Sequence, residues 1–286
     1  MPPEFASLGP QAKYFPVQQG GLTMRAGLFR HGTDFGNGER DAQYFQRDEG
    51  TPAALTNKAA VLEKHPQRFG WIEERRTLSA LQPVLGWMQE RVHAEVGPCP
   101  FTQSEAPAGF GELGRWVAED FVVMQRRRSG EERCALAHVC APSGWRPETI
   151  IGRSFLQIHD PVPEFGALRR TSEAVVRALF ERGPYVRFVW TLTPDASLDH
   201  HPDFHTANWS DAQNGYLRVE RQISVPFAPE QLSLFLIRTY LYPLEGLETT
   251  QREVIRSALE GTSDAVLEYK GLRPHLERIL GWLRKP

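Results

Sequence analysis

The ten residues YLRVERQISV, 216–225, decide how the chain folds. Leu217, Val219, Ile223 and Val225 recur at every second position and form the apolar face of a half-buried strand, and Arg221 falls on that same face. Two further stretches with strand composition flank it, residues 185–193 (YVRFVWTLT) and 233–241 (SLFLIRTYL), separated from it by turn-rich loops. Three such runs in succession predict consecutive antiparallel strands. Upstream, residues 120–127 and 134–140, joined by RSGEE, carry a hairpin signal, so the sheet is expected to hold about five strands.

Helical periodicity surrounds this sheet. Residues 53–64 predict a helix. Residues 76–96 predict an amphipathic one, with Leu78, Leu81, Val84, Leu85, Met88 and Val92 at spacings of three and four and Pro83 starting a second turn or kinking it. Residues 171–182 predict a helix with Thr171 or Ser172 as N-cap and Gly183-Pro184 as the stop. Helices are expected again over 244–260 and 272–283. Residues 1–75 are otherwise irregular. The class is α+β, one unit over 1–286: a wrapping arm (1–75), a helix and sheet core (76–243) and C-terminal helices (244–286).

The chain has 286 residues with 33 basic and 35 acidic side chains, so no global charge favours nucleic acid or an anionic membrane. Its start, MPPEFASLGPQ, is Pro-rich and polar rather than a basic and apolar leader. No apolar run approaches the roughly 18 residues of a membrane span. A cytoplasmic protein is expected. Three cysteines in a chain of this length predict reduced thiols, not a disulfide framework.

Arginines on strands carry the sharpest functional signal. Arg221 lies on an apolar face, Arg238 shares its face with Leu234, Leu236 and Tyr240, and Arg187 shares its own with Tyr185 and Val189. A guanidinium in an apolar layer needs a carboxylate, a ligand anion or a route to water. Glu119, Asp120 or Glu220 are candidate protein partners; haem propionates, a nucleotide or an organic acid are the candidate ligands. The stretch VCAPSGWRPETIIGRSFLQIHDPVP, 139–163, adds a histidine. His159 ends a short helical run and is followed by Pro161 and Pro163, which restrict its direction. It suits either a ligand to a metal or haem, or a residue that caps the last turn.

Three other motifs weaken when their context is considered. Gly109-Phe-Gly111-Glu-Leu-Gly114 spells a dinucleotide fingerprint, but the residues before it, CPFTQSEAPA, cannot be the buried strand that the fingerprint requires. Cys134, His138 and Cys140 fall on one strand face with Leu136, too far apart along an extended chain to complete one zinc site. In HHPDFH, His201 and His205 could hold a metal with Asp203 if helical, but Pro202 and its polar neighbours favour a loop.

Taken together, Glu119-Asp120, Pro142-Ser-Gly-Trp145-x-Pro147, Gly152-Arg153-x-Phe155-x-x-Ile158-His159-x-Pro161-Val162-Pro163, Val219-Glu220-Arg221-Gln222, Ile237-Arg238-Thr239-Tyr240 and Tyr269-Lys270-Gly271 resemble the haem-dependent oxidative N-demethylase family, in the family order from about Gly27 to Leu283. The resemblance implies a PAS-like α+β fold holding one b-type haem. Characterised members use O2 and electrons from NADPH to release a methyl group of a small amine as formaldehyde. Carried onto this sequence, it makes His159 the axial ligand, Arg187, Arg221 and Arg238 the propionate or supporting contacts, and Trp145 and Phe155 the pocket wall. Glu220 or Tyr240 would hold a cationic amine. No flavin or iron–sulfur motif is present, so a separate reductase would deliver the electrons; the oligomeric state is left open. Family members usually carry Asn where this chain has Val189. Two alternatives remain at this point: a haem-binding sensor or carrier without turnover, and a haem-less relative that binds another anion.

Overall fold

The computed structural model of the chain describes residues 14–18, 27–163 and 165–284, and of residues 165–172 the backbone alone. The polar start at residues 1–11 lies outside the described residues. In chain order the strands are β1 (Phe29–Arg30), β2 (Phe69–Trp71), β3 (Asp120–Arg126), β4 (Glu132–His138), β5 (Tyr185–Thr193), β6 (Tyr216–Phe227) and β7 (Leu232–Pro243). The helices are α1 (Thr51–Lys64), α2 (Arg75–Ala80), α3 (Gln82–Glu95), α4 (Ala108–Gly114), α5 (Phe155–His159), α6 (Phe165–Glu181), α7 (Thr249–Glu260), α8 (Asp264–Tyr269) and α9 (Leu276–Leu283).

The architecture is α+β, as expected, but the antiparallel sheet has seven strands, in the order β1-β5-β6-β7-β3-β4-β2. The five long strands are those expected from sequence. The two additions are edge strands of two and three residues, too short to show a period of two. Alternation divides the sheet cleanly. On one face, Val186, Phe188, Trp190 and Leu192 of β5 meet Leu217, Val219, Arg221 and Ile223 of β6, and these meet Leu234, Leu236, Arg238, Tyr240 and Tyr242 of β7. This arm face is covered by Tyr14, Phe15, Val17, Phe35 and Phe45 and by α3, α4, α7, α8 and α9, which share one apolar core with it.

The other face is covered too, by a second and smaller core. There Val122, Met124, Cys134, Ala137 and Val139 pack against Ile150, Trp145, Phe155 and Ile158 from the 139–163 stretch and against Val176, Leu179 and Phe180 of α6. This second layer turns the β6 side chains opposite the core, which would face water in a two-layer protein, into interior groups.

Several local expectations change. The run over 76–96 is two helices, broken at Leu81, with Pro83 in the first turn of α3, where a missing N–H costs nothing. α6 starts at Phe165, so Thr171 and Ser172 lie inside the helix rather than capping it; it stops before Gly183, whose φ of 116° only glycine adopts readily. The C-terminal helices become three, with α8 between the two expected. In β4 the register slips: Val123 faces Leu136 but Met124 faces Cys134, so Ala135 is an extra residue. That bulge moves Cys134 to the α6 face, away from Leu136 and His138, and corrects the expectation of one shared face. The three cysteines are unpaired. Among the described residues no helix is long and apolar enough to cross a membrane.

The glycines of the fingerprint-like motif also find a use. A Cβ at Gly109 would lie 2.6 Å from Leu85 Cδ2, and one at Gly114 would lie 2.2 Å from His138 Nε2. They let α4 pack tightly on α3 and β4; no strand leads into the motif.

Candidate functional site

The strand alternation that builds the sheet also sorts the candidate residues, and it does not bring them all together. Arg221 and Arg238 are register partners on the arm face, with Tyr240 beside them. Arg187 and Glu220 point to the α6 face, where His159, Trp145 and Phe155 also lie. Arg187, Arg221 and Arg238 therefore cannot grip one ligand.

On the arm face the arginines are engaged by protein. Arg238 Nη2 stands 2.7 Å from Asp48 Oδ1, with both side chains almost fully buried. Burial alone would pull the Arg238 pKa down, but Glu119, Tyr240 and Asp48 together hold it up. Arg221 donates through Nη2 to the carbonyls of Asp41 (3.1 Å) and Gln43 (2.8 Å). Tyr240 donates its hydroxyl to Gln46 Oε1, and Gln46 in turn donates to Tyr14, which donates to Asp41 at 2.7 Å. Burial raises the Tyr240 pKa far above the usual phenol range, so this hydroxyl stays protonated. The network ties Tyr14 and residues 41–48 to the sheet.

The α6 face is different. α5 begins at Ser154, whose side chain accepts from Gln157 N while Gln157 returns a bond to Ser154 N. One turn later His159 Nδ1 meets the Phe155 carbonyl at 2.8 Å, and its ring leans on the Phe155 ring, centroids 4.2 Å apart. Because a carbonyl only accepts, Nδ1 carries the proton and Nε2 the lone pair. Burial lowers the His159 pKa; the Phe155 carbonyl opposes this and the Arg187 charge adds to it, so the ring is neutral at neutral pH. This is the tautomer and charge state of an imidazole metal ligand, with the backbone carbonyl fixing the ring.

Arg187 is half-buried, and its Nε is buried without a hydrogen-bond partner. Burial lowers its pKa, with Glu220 as the opposing charge. Glu220 accepts from Gln222 at 2.9 Å and lies 3.4 Å from Arg218 Nε. Arg218, buried to 1 %, also donates to the carbonyls of Ala141 (2.6 Å) and Leu198 (2.9 Å), which binds the 141–144 turn and the β5–β6 loop to the sheet. From beyond α8, Lys270 Nζ reaches the Trp190 carbonyl at 3.2 Å. Burial pulls the Lys270 pKa down to about 8, Glu220 opposes, and Arg187 adds to the fall. Arg187 and Lys270 both lie within electrostatic reach of Glu220, which they share with Arg218; Arg218 also has Asp120 and Asp199 near it, so the local excess of positive charge falls on Arg187 and Lys270.

Sequence reasoning missed Arg218 and Lys270. Arg218 alternates out of phase with the apolar residues of β6 and so resembles a solvent-facing position; only the second layer buries it. Lys270 stood within the Tyr269-Lys270-Gly271 motif but follows a helix that was not expected.

A second imidazole competes for attention. His138 is fully buried, both ring nitrogens lack a hydrogen-bond partner, and burial holds its pKa well below the usual value. It borders a cavity of about 500 Å³ lined also by Phe69, Trp71, Glu112 and Arg115. Its ring is stacked on Phe121, with centroids 5.0 Å apart, and Gly114 presses on Nε2. That close approach of α4 leaves no room for an iron on Nε2, and the His138 ring packs between α4 and Phe121.

One sheet face of this α+β protein thus carries a neutral, oriented imidazole beside cationic side chains, an arrangement that could hold an anionic group. The comparison with known families agrees and is narrower: residues 47–280 match the family described as "haem-dependent oxidative N-demethylase, alpha subunit-like". The chain belongs to this family.

Proposed function

We propose that the protein binds one haem b on the α6 face, with His159 Nε2 as the axial ligand, and works as a monooxygenase that demethylates a small N-methylated amine. The observation that carries this is the pairing of a tautomer-fixed, neutral His159 with the electrostatically coupled Arg187, whose buried Nε has no hydrogen-bond partner among the described residues. A haem would meet both needs, since it presents an iron to the imidazole and carboxylates to the guanidinium. Arg187 and Lys270 would take the propionates. Trp145, Phe155 and Ile158 would line the disk and exclude water. Glu220, held by Arg218 and Gln222, would face the ammonium of the substrate. Arg221, Arg238 and Tyr240 are left out of this site because they lie across the sheet, engaged by the arm.

When bound, haem would supply the activation of O2. The overall balance is one methylamine, one O2, two electrons and two protons giving the demethylated amine, formaldehyde and water. The electrons would arrive from NADPH through a partner protein, in keeping with the family's description as an alpha subunit. The fold is read as a PAS-like unit over the whole chain, placed in the cytoplasm.

Reconstitution of the full chain with haem tests the reading. A Soret band shifted from that of free haem is expected for the wild type, and loss or displacement of that band for His159→Ala. Identical spectra for the two proteins would reject His159 as the ligand, and an unshifted wild-type band would reject haem binding. Formaldehyde release from methylated amines, with reductant and O2, tests turnover.

A further inference from the structure

The β5–β6 loop carries a second cluster of histidines, and its geometry does not depend on the haem reading. Pro202 makes the HHPDFH stretch a loop, as expected, yet one tight turn forms inside it, with Phe204 N and His205 N both donating to the His201 carbonyl. That turn folds His205 back over His200, and the two rings stack with centroids 3.9 Å apart and planes within 18°. His201 does not join them. It is fully buried and its Nε2 meets Glu148 Oε1 at 3.0 Å, so the set of His201, His205 and Asp203 considered from sequence is not assembled. Asp203 instead pairs with Arg146 on the surface.

In its place stands Asp195, at the start of the loop. Its oxygens lie 3.2 Å and 3.2 Å from His205 Nε2, and Oδ1 lies 3.4 Å from His200 Nε2. The carboxylate is held in orientation by Ser197, whose N–H (3.0 Å) and hydroxyl (2.9 Å) donate to it. The Ser197 carbonyl faces His200 Nε2 at 2.8 Å. For metal–ligand bonds of about 2.0–2.1 Å in a tetrahedron, neighbouring ligand atoms stand about 3.3 Å apart. The spacing between Asp195 and each imidazole matches that edge.

We propose that His200, His205 and Asp195 bind one divalent transition-metal ion of the zinc class, with the Ser197 carbonyl or a water in the fourth position. Binding requires that each imidazole present its lone pair at Nε2. The Arg218 charge that would repel a cation is compensated by Glu220.

The other cluster of metal-ligating residues, Asp120, His138 and Cys140, fails where this one succeeds. Lys58 Nζ sits 3.3 Å from Asp120 and donates to the carbonyls of Glu119 and Gly114, so an ammonium already occupies that position.

The site's backbone is tied down on several sides. His200 N donates to Pro142 O (3.1 Å), Gly144 N donates to His200 O (3.0 Å), and Arg68 holds Asp199 through Nη2, 3.1 Å from each oxygen. A metal would therefore act as a clip, fixing the loop against the 142–144 turn.

The test uses the full chain and Co2+ alone, whose tetrahedral complexes absorb strongly in the visible, followed by displacement with Zn2+. One equivalent of Co2+ is expected to give those bands in the wild type and in the surface control His93→Ala. His205→Ala and Asp195→Ala should bind at least about tenfold more weakly and lose the bands, while keeping the wild-type circular dichroism spectrum. Absence of Co2+ binding by the wild type, or equal binding by His205→Ala and Asp195→Ala, would overturn the proposal. If one of the two variants does not fold, the other decides. The Soret test above is independent, because none of these residues contacts the proposed haem ligand.

Discussion

The two faces of the sheet carry buried arginines under opposite conditions. On the arm face, Arg221 and Arg238 are register partners whose Nη2 groups are met by residues 41–48, through carbonyls for one and Asp48 for the other, while the Nε of each stays buried without a hydrogen-bond partner. On the α6 face, Arg187 has a buried Nε of the same kind, but its counter-charge, Glu220, acts at electrostatic range rather than through a hydrogen bond. A buried charge with a protein partner holds a structure together; one without is a demand that a ligand can meet. The same residue type on the same sheet is therefore structural on one side and a candidate binding group on the other.

Breaking the arm-face pair tests this contrast most severely. Asp48→Ala removes the direct ion-pair partner of the buried Arg238 guanidinium, leaving Glu119 and the Tyr240 ring beside it, and should cost about 3–5 kcal/mol in urea unfolding. If the cost is below about 1 kcal/mol, the arm face does not depend on its pairing and the contrast fails. Arg187→Ala should do the reverse. Stability should change by less than about 0.5 kcal/mol, while haem affinity should fall by roughly tenfold or more, the loss of one charge-assisted bond. Equal haem affinity in wild type and Arg187→Ala would remove Arg187 from the site.

The smallest effect concerns Lys270. Its folded-state pKa is about 8 against 10.5 for the free side chain, mainly through burial. Between those values the unfolded chain binds more protons than the folded one, so stability contributed by this residue rises with pH across the window from about 8 to 10.5. Lys270→Met should flatten that rise relative to wild type when urea midpoints are compared at the two ends. An unchanged slope would show that Lys270 is solvated rather than buried beside Arg187.

Much of this contrast was written in the chain, but not all of it. The alternation in residues 185–193, 216–225 and 233–241 placed the long strands and showed that Arg221 and Arg238 face an apolar layer. It could not name their partners, because Asp48 lies 190 positions from Arg238 and the arm has no period to align it. The same alternation misled at Arg218, since a polar residue out of phase with a core face looks solvated until a second layer is known. The bulge at Ala135 was invisible for a related reason: one extra residue in an apolar run leaves composition unchanged and reverses every side chain beyond it. In HHPDFH, Pro202 rightly predicted a loop, but Asp195 had to be brought from five residues before the motif by the turn at Ser197.

Lys270 has a consequence of a different kind. Among the described residues β1 pairs with β5 only at Tyr185 and Val186, so the rest of β5 is a sheet edge. An uncovered edge is a template on which a second chain can add a strand, and the ammonium on the Trp190 carbonyl places a charge where such a strand would dock. The lysine thus covers the β5 edge at Trp190 with a donor of its own, beside the strand that carries Arg187.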